Sequence, residues 1–227
     1  MLYLFDIDGT LLLTGGAGTR ALNALFAERY GVADAMSRVR AAGNTDRRIL
    51  RAIFETKLGV SPEEREIEEL LTAYVPLLRR ELAGSTGFRT MPAAGEVLGL
   101  LAGDARVTLA IATGNIREAA WAKLERAGFR DHFETGGFGC DHADRAELVA
   151  RAIERGLALA PTPIDRRNVV VLGDTPYDVH AARACGVRVI AVATGSIGRA
   201  ELEATAPDAV MDTLAELPSW HREHAQP

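Results

Sequence analysis

The chain has 227 residues and a net charge of −5 at pH 7. That is enough length to bury a sizeable core, with no excess of basic residues with which to hold nucleic acid. Cys140 and Cys185 are the only cysteines, which excludes a disulfide framework and a zinc site of paired-cysteine spacing.

No apolar run approaches membrane-spanning length, and Met1 leads so directly into the first apolar run that no room is left for a signal peptide. A reducing cytoplasm is the expected location. The first predicted element is that run, Leu2, Leu4 and Phe5, which ends in Asp6-Ile7-Asp8-Gly9-Thr10. Such a run suits a parallel strand buried on both faces, and ligands of such sheets bind beyond the carboxyl ends of the strands. Asp and Gly also punctuate ordinary turns, but a turn has no use for a second carboxylate set within an apolar run. Two ionised carboxylates so close repel unless a cation joins them, and hard oxygen ligands of this type suit Mg²⁺. Asp6 and Asp8 therefore predict a metal.

Residues 15–86 read as helices. Leu22, Leu25, Phe26 and Tyr30, then Ile49, Leu50, Ile53 and Phe54, then Ile67, Leu70, Leu71, Tyr74 and Leu78 recur at helical spacing. Gly31 and Gly59 stand where the first two helices would end. Ser61-Pro62-Glu63-Glu64 predicts the start of the third, with Ser61 as N-cap and Pro62 at the first helical position, and Pro76 is placed to kink it. The entry, Gly15-Gly16-Ala17-Gly18, reads equally as a mobile hinge or an ordinary loop. Gly43-Asn44-Thr45-Asp46-Arg47-Arg48 predicts a helix start capped by Thr45. No strand intervenes. The expected organisation is an α/β domain of residues 1–14 and 87–227, with a small all-helical domain of residues 15–86 inserted after its first strand.

From residue 87 onward strands and helices alternate. Val107–Thr113, Asn168–Asp174 and Arg188–Thr194 read as buried parallel strands, Ala209–Asp212 as a short edge strand and His132–Gly139 as a weaker one. Between them, 92–102, 116–127, 144–157 and 176–185 carry helical spacing, which implies a doubly wound, Rossmann-like parallel sheet. The tail from Trp220 to Pro227 is expected to fray.

The ends of these strands are polar. Thr113-Gly114-Asn115 offers a hydroxyl and backbone N–H groups that suit a phosphate oxygen, although a plain N-cap explains it as well. Asp174 ends an apolar run as Asp6 does and is the third candidate oxygen donor. Asp178, in the first helical turn after Pro176, is either a donor or orienting group for the metal, or the carboxylate of a capping box with Thr175. Arg145, at a helix start, is the candidate cation for neutralising a bound phosphate; a solvent-exposed arginine is the alternative.

The ordered set Asp6-Ile7-Asp8-Gly9-Thr10, then Thr113, then a basic residue, then Gly173-Asp174 and Asp178 resembles the haloacid dehalogenase-like superfamily over almost the whole chain. It is most similar to the branch with a helical cap after the first strand, which includes phosphoglycolate phosphatase-like and β-phosphoglucomutase-like proteins. The resemblance implies a Mg²⁺-dependent phosphatase acting on a small phosphate monoester through an aspartyl-phosphate. On the matching positions, Asp6 is the nucleophile and Asp8 the general acid and base. Asp6, Asp174 and the Asp8 backbone carbonyl hold the metal with Asp178 in support, and Thr113 binds phosphate together with Gly114 and Asn115. The family's usual third-motif lysine has no evident counterpart, since Lys57 lies in the insert and Lys123 well inside the helix after Thr113, so Arg145 is expected to take that part. Thr45, Asp46 and Arg47 are the candidates for substrate choice, and an arginine facing the pocket would suit an anionic substrate such as phosphoglycolate. The other readings are a phosphomutase on the same fold and a catalytically silent binding protein; the presence of all four acids speaks against the second. The expected partner is a small phosphorylated metabolite, with no nucleic acid or membrane, and the chain is expected to be a monomer or dimer.

Overall fold

Four apolar residues in succession, Leu2–Phe5, form β1, and every one of them is buried in the computed structural model, which describes residues 1–225. Successive side chains of a strand point to opposite faces. Tyr3 and Phe5 accordingly join the hydrophobic cluster on one face of the sheet, and Leu2 and Leu4 the cluster on the other.

After β1 the chain runs through β2 (Leu12–Leu13), α1 (Ala17–Tyr30), α2 (Asp46–Ile53), α3 (Glu64–Ala83) and β3 (Arg89–Thr90), which pairs antiparallel with β2. Then come α4 (Ala94–Ala102), β4 (Thr108–Ala112), α5 (Arg117–Ala127), β5 (Gly136–Gly137), α6 (Arg145–Leu159) and β6 (Val169–Gly173). The chain continues through α7 (Pro176–Ala184), β7 (Arg188–Val192), α8 (Arg199–Glu203), β8 (Ala209–Met211) and α9 (Leu217–His224). Six strands form one parallel sheet in the order β5-β4-β1-β6-β7-β8. Winding proceeds from β1 to β4 and β5 on one side, then crosses to β6 on the other. The ends of β1, β4 and β6 therefore open on the crevice that a reversal of strand order creates.

Helices cover both faces. α4, α5 and α9 contribute Val97, Leu98, Leu124 and Leu217 to one cluster, and α6 and α7 contribute Leu148, Ala152, Val179 and Ala182 to the other. The helices α1 to α3 bury a cluster of their own, centred on Phe26, Leu50, Phe54, Ile67 and Leu78. Ile116, Ala119 and Ala122, at the start and along α5, enter that cluster, whereas Ala120 and Leu124 face the sheet. Packed on both sides, α5 is rich in alanine and exposes Arg117, Glu118, Glu125 and Arg126 near its two ends.

Three local expectations fail. α2 continues into a π-helical turn, Phe54–Leu58, that ends at the left-handed Gly59, and the chain then stays extended to Glu63. Ser61 and Pro62 thus lie in a connection, and α3 begins at Glu64 without a side-chain cap. It runs unbroken through Pro76. The weak strand His132–Gly139 shrinks to β5, because Arg130–His132 coil into a 3₁₀ turn. The tail is docked as α9 instead of frayed: Leu217 and His221 are buried, and the Tyr3 hydroxyl lies 2.8 Å from His221 Nδ1. Residues 226 and 227 lie outside the described residues. No described helix is long and apolar enough to cross a membrane.

Candidate active site

β1 ends in a tight turn in which the Ile7 carbonyl accepts from the Leu11 and Leu12 N–H groups, while the Gly9 N–H donates to the Leu12 carbonyl. Gly9 has φ +89°, and a Cβ there would lie 2.3 Å from Asp174 Oδ2. Glycine is therefore required twice over, for the backbone turn and for the approach of the second acid. Asp174 follows the last residue of β6, and Asp178 lies in the first turn of α7. Carboxylate oxygens of Asp6, Asp174 and Asp178, all buried, lie within 4.8 Å of one another.

Arg145, the first residue of α6, enters this group from the side. Its Nε and Nη2 donate to Asp178 Oδ1 at 3.0 and 2.5 Å, and Nη2 stands 3.2 Å from Asp6 Oδ1. The buried guanidinium is thus no surface arginine. Asp178 Oδ2 accepts from the Thr175 N–H at 3.0 Å and the Thr175 hydroxyl at 2.7 Å. Oδ2 thus caps α7, as the capping-box reading expects, while Oδ1 accepts from Arg145 beside the other acids.

Three carboxylates against one guanidinium leave two negative charges to be met. Burial first, then Asp6 and Asp178, push Asp174 up to about 9. Burial likewise pushes Asp6 up to about 7, against the pull of Arg145. Asp174 Oδ1 is buried with no hydrogen-bond partner among the described residues. An orphaned carboxylate oxygen is costly in a protein interior, and a hard divalent cation among these three acids would both use it and offset the excess charge. With oxygen donors alone, the set suits Mg²⁺ better than zinc or copper.

The carboxylate of Asp8 does not join them, contrary to the expectation that Asp6 and Asp8 share a cation through their side chains. Its Oδ2 accepts from Lys123 Nζ at 2.6 Å and from Asn115 Nδ2 at 2.8 Å. Lys123 also donates to Asn115 Oδ1 at 2.5 Å, and Asn115 Nδ2 to Thr113 Oγ1 at 2.8 Å. Lys123 is only 5% exposed. It is the charged residue of the cavity floor that reading the strand ends misses. The one sequence signal is its spacing, since Lys123 falls on the apolar helical stripe of Ile116, Ala119 and Ala120.

The helical insert closes over this floor and leaves a cavity of about 180 Å³, walled on the insert side by residues such as Thr19, Leu22, Met36, Asn44, Asp46 and Tyr74. Asp46 ties the two parts together: its N–H donates to the Gly114 carbonyl at 2.9 Å, and its Oδ2 accepts from the Ile116 N–H at 2.7 Å. Burial pushes its carboxyl up to about 6. Thr45 is buried as the N-cap of α2 and lies outside the cavity wall. Arg47 does not face the pocket. One residue on from Asp46, about 100° around the helix, it reaches Glu64 at 2.5 Å and also pairs with Glu68, which lie one turn apart on α3. Arg48 lies 3.7 Å from Asp144, and Lys57 pairs with Asp34 at 2.9 Å. At the entry to the insert, Gly15 (φ +61°) packs so closely on Gly87, where the chain leaves it, that a Cβ would come within 2.4 Å of the Gly87 carbonyl carbon.

A sequence model of the haloacid dehalogenase-like hydrolases matches residues 3–192. The chain is 28% identical over 227 residues to a probable phosphatase IndB of Dickeya dadantii, covering 95% of this chain and 91% of that protein. It is also 28% identical over 227 residues to a phosphoglycolate phosphatase of Rhodospirillum rubrum, covering 96% of this chain and 89% of that one. Among solved structures, CbbY from Rhodobacter sphaeroides in complex with phosphate has the same fold, with a TM-score of 0.72 and 23% identity over 95% of each chain.

Proposed function

The chain belongs to the haloacid dehalogenase-like hydrolases, and from that premise we propose that it is a Mg²⁺-dependent phosphatase cleaving a small phosphate monoester through an aspartyl-phosphate on Asp6. One observation carries the reading: three buried carboxylates, Asp6, Asp174 and Asp178, converge at adjacent strand ends with Arg145 alongside, and one oxygen of Asp174 has no hydrogen-bond partner among the described residues. Two relatives named phosphatases support the reaction class.

A Mg²⁺ ion held by Asp6, Asp174 and Asp178 supplies positive charge against the phosphoryl oxygens, so that an anionic nucleophile meets less repulsion. The chain's own groups do the rest. Asp6 attacks phosphorus; its oxygen forms the new P–O bond as the ester P–O bond breaks and the alcohol oxygen departs. Asp8 gives that oxygen a proton, then takes one from the water that cleaves the acyl phosphate, which releases inorganic phosphate and restores Asp6. Lys123 and Asn115 both hold Asp8 Oδ2, so Oδ1 is the oxygen left to handle protons. Thr113 and the backbone of Gly114, which line the cavity, are the groups we assign to the phosphoryl oxygens. Arg145 reads as the companion of Asp6, keeping the nucleophile oriented and partly neutralised.

The test is a phosphate-release screen over phosphorylated metabolites with Asp6→Asn as the blank. Release that requires Mg²⁺ and vanishes in the variant is expected; release at the wild-type rate by Asp6→Asn contradicts the assignment.

A further inference from the structure

We propose that the cavity selects esters whose alcohol portion is hydroxylated and uncharged, and that Asp46 turns away those whose alcohol portion carries a carboxylate. The inference rests on the phosphatase reading above and concerns what the insert admits.

Two cations line the cavity, Lys123 and Arg145, and both stand at the floor, already bridged to Asp8 and to Asp6 and Asp178. Among the described residues, no lysine, arginine or histidine of the insert reaches the wall. Of the nearby cations, Arg20 is engaged with Glu81 and the Gly15 carbonyl, Arg47 with Glu64 and Glu68, and Lys57 with Asp34, while Arg38 and Arg40 are exposed and lie outside the wall. What the insert does present is an acid. Asp46 has Oδ2 on the Ile116 N–H, while Oδ1 carries no hydrogen bond among the described residues. The Tyr74 hydroxyl, likewise without a hydrogen bond to the described residues, and Thr19 and Asn44 add neutral donors and acceptors, set between Leu22 and Met36. A hydroxyl on the departing alcohol can donate to Asp46 and accept from Tyr74. A carboxylate in the same place meets the Asp46 charge in a confined, weakly screening space, and Lys123, the cation whose charge reaches Asp46, is already bridged to Asp8. Specificity then arises from a repulsive element as much as from an attractive one.

The test compares kcat/KM for glycerol 3-phosphate, phosphoglycolate and O-phosphoethanolamine in the presence of Mg²⁺, for the wild type and Asp46→Asn. Asparagine keeps an acceptor for the Ile116 N–H and removes the charge. Glycerol 3-phosphate is expected to exceed phosphoglycolate by about tenfold or more in the wild type, and Asp46→Asn to raise phosphoglycolate relative to glycerol 3-phosphate by about tenfold. The wild-type ratio is read without any variant, so a poorly folded Asp46→Asn does not remove the test. Phosphoglycolate equal to or better than glycerol 3-phosphate overturns the inference, as does a folded Asp46→Asn protein with an unmoved ratio. An O-phosphoethanolamine preference of about tenfold would overturn the uncharged alcohol in favour of a cationic one. In all these cases the phosphatase reading stands. If no ester is cleaved, p-nitrophenyl phosphate included, that reading falls and the inference with it.

Discussion

The floor of the cavity and its roof are charged in opposite styles. Floor groups come from the ends of β1, β4 and β6 and from α5, α6 and α7; Asp6, Arg145 and Asp178 are bridged to one another and buried, and the buried Lys123 and Asn115 hold the partly exposed Asp8. Roof cations face outward: Arg47, Arg51 and Lys57 pair with exposed acids of the insert and leave the cavity to Asp46 and neutral side chains. Fixed charges in a dry site act strongly on a reacting phosphate, whereas exposed pairs contribute little. The floor therefore determines the reaction and the roof what enters it. A likeness of fold informs the first and says little about the second.

The contrast is broken most severely at Asp6. Asp6→Asn is expected to lower kcat by about four orders of magnitude or more, as loss of a nucleophile does, in a steady-state phosphate assay. Lys123→Met comes next. Lys123 is a positioning residue for Asp8, so kcat for alkyl esters should fall about 10²- to 10³-fold. p-Nitrophenyl phosphate, whose leaving group needs little proton assistance, should lose far less. Equal losses for the two substrates would place Lys123 in some other part.

Metal binding sharpens the same contrast through pH. Asp174 at about 9 and Asp6 at about 7 both lie above the ordinary carboxylate value near 4. Without metal, the folded protein thus holds more protons than the unfolded chain between about pH 4 and 9, and its stability falls as pH rises through that window. On the proposed reading, Mg²⁺ would compete with those protons. At a metal concentration a hundredfold above the Kd at pH 8, the melting temperature should rise by about 5–10 °C at pH 8 and scarcely at pH 5. An equal rise at both values, read by differential scanning calorimetry, would place the cation elsewhere. The smallest effect belongs to the roof: Arg47→Ala should cost no more than about 1 kcal/mol of stability, and kcat/KM for anionic and neutral esters should keep the same ratio.

Much of the floor was legible in the sequence, for a physical reason. A strand buried on both faces reads as an unbroken apolar run, as Val169–Leu172 does, and a carboxylate at its end is too costly to be incidental. Asp6 and Asp174 announce themselves in that way. Lys123 did not, because it lies eight residues beyond Asn115 on α5. Helical side chains lean towards the N-terminus, and that lean, with a long stem, returns its ammonium to the Thr113-Gly114-Asn115 turn. The direction of Arg47 was illegible too, since a rotation of about 100° per residue decides whether a side chain meets a cavity or a neighbouring helix. The docking of α9 depends on Tyr3, more than two hundred residues away in the chain, a distance that local pattern does not bridge.

The most direct measurement is to quench the enzyme with acid during turnover of a phosphate ester in Mg²⁺ and to map the phosphorylated peptide by mass spectrometry. A phosphoryl group on Asp6, absent in Asp6→Asn, is the expected result. Rapid turnover with no phosphoprotein, or with the group on another residue, would contradict the role given to Asp6.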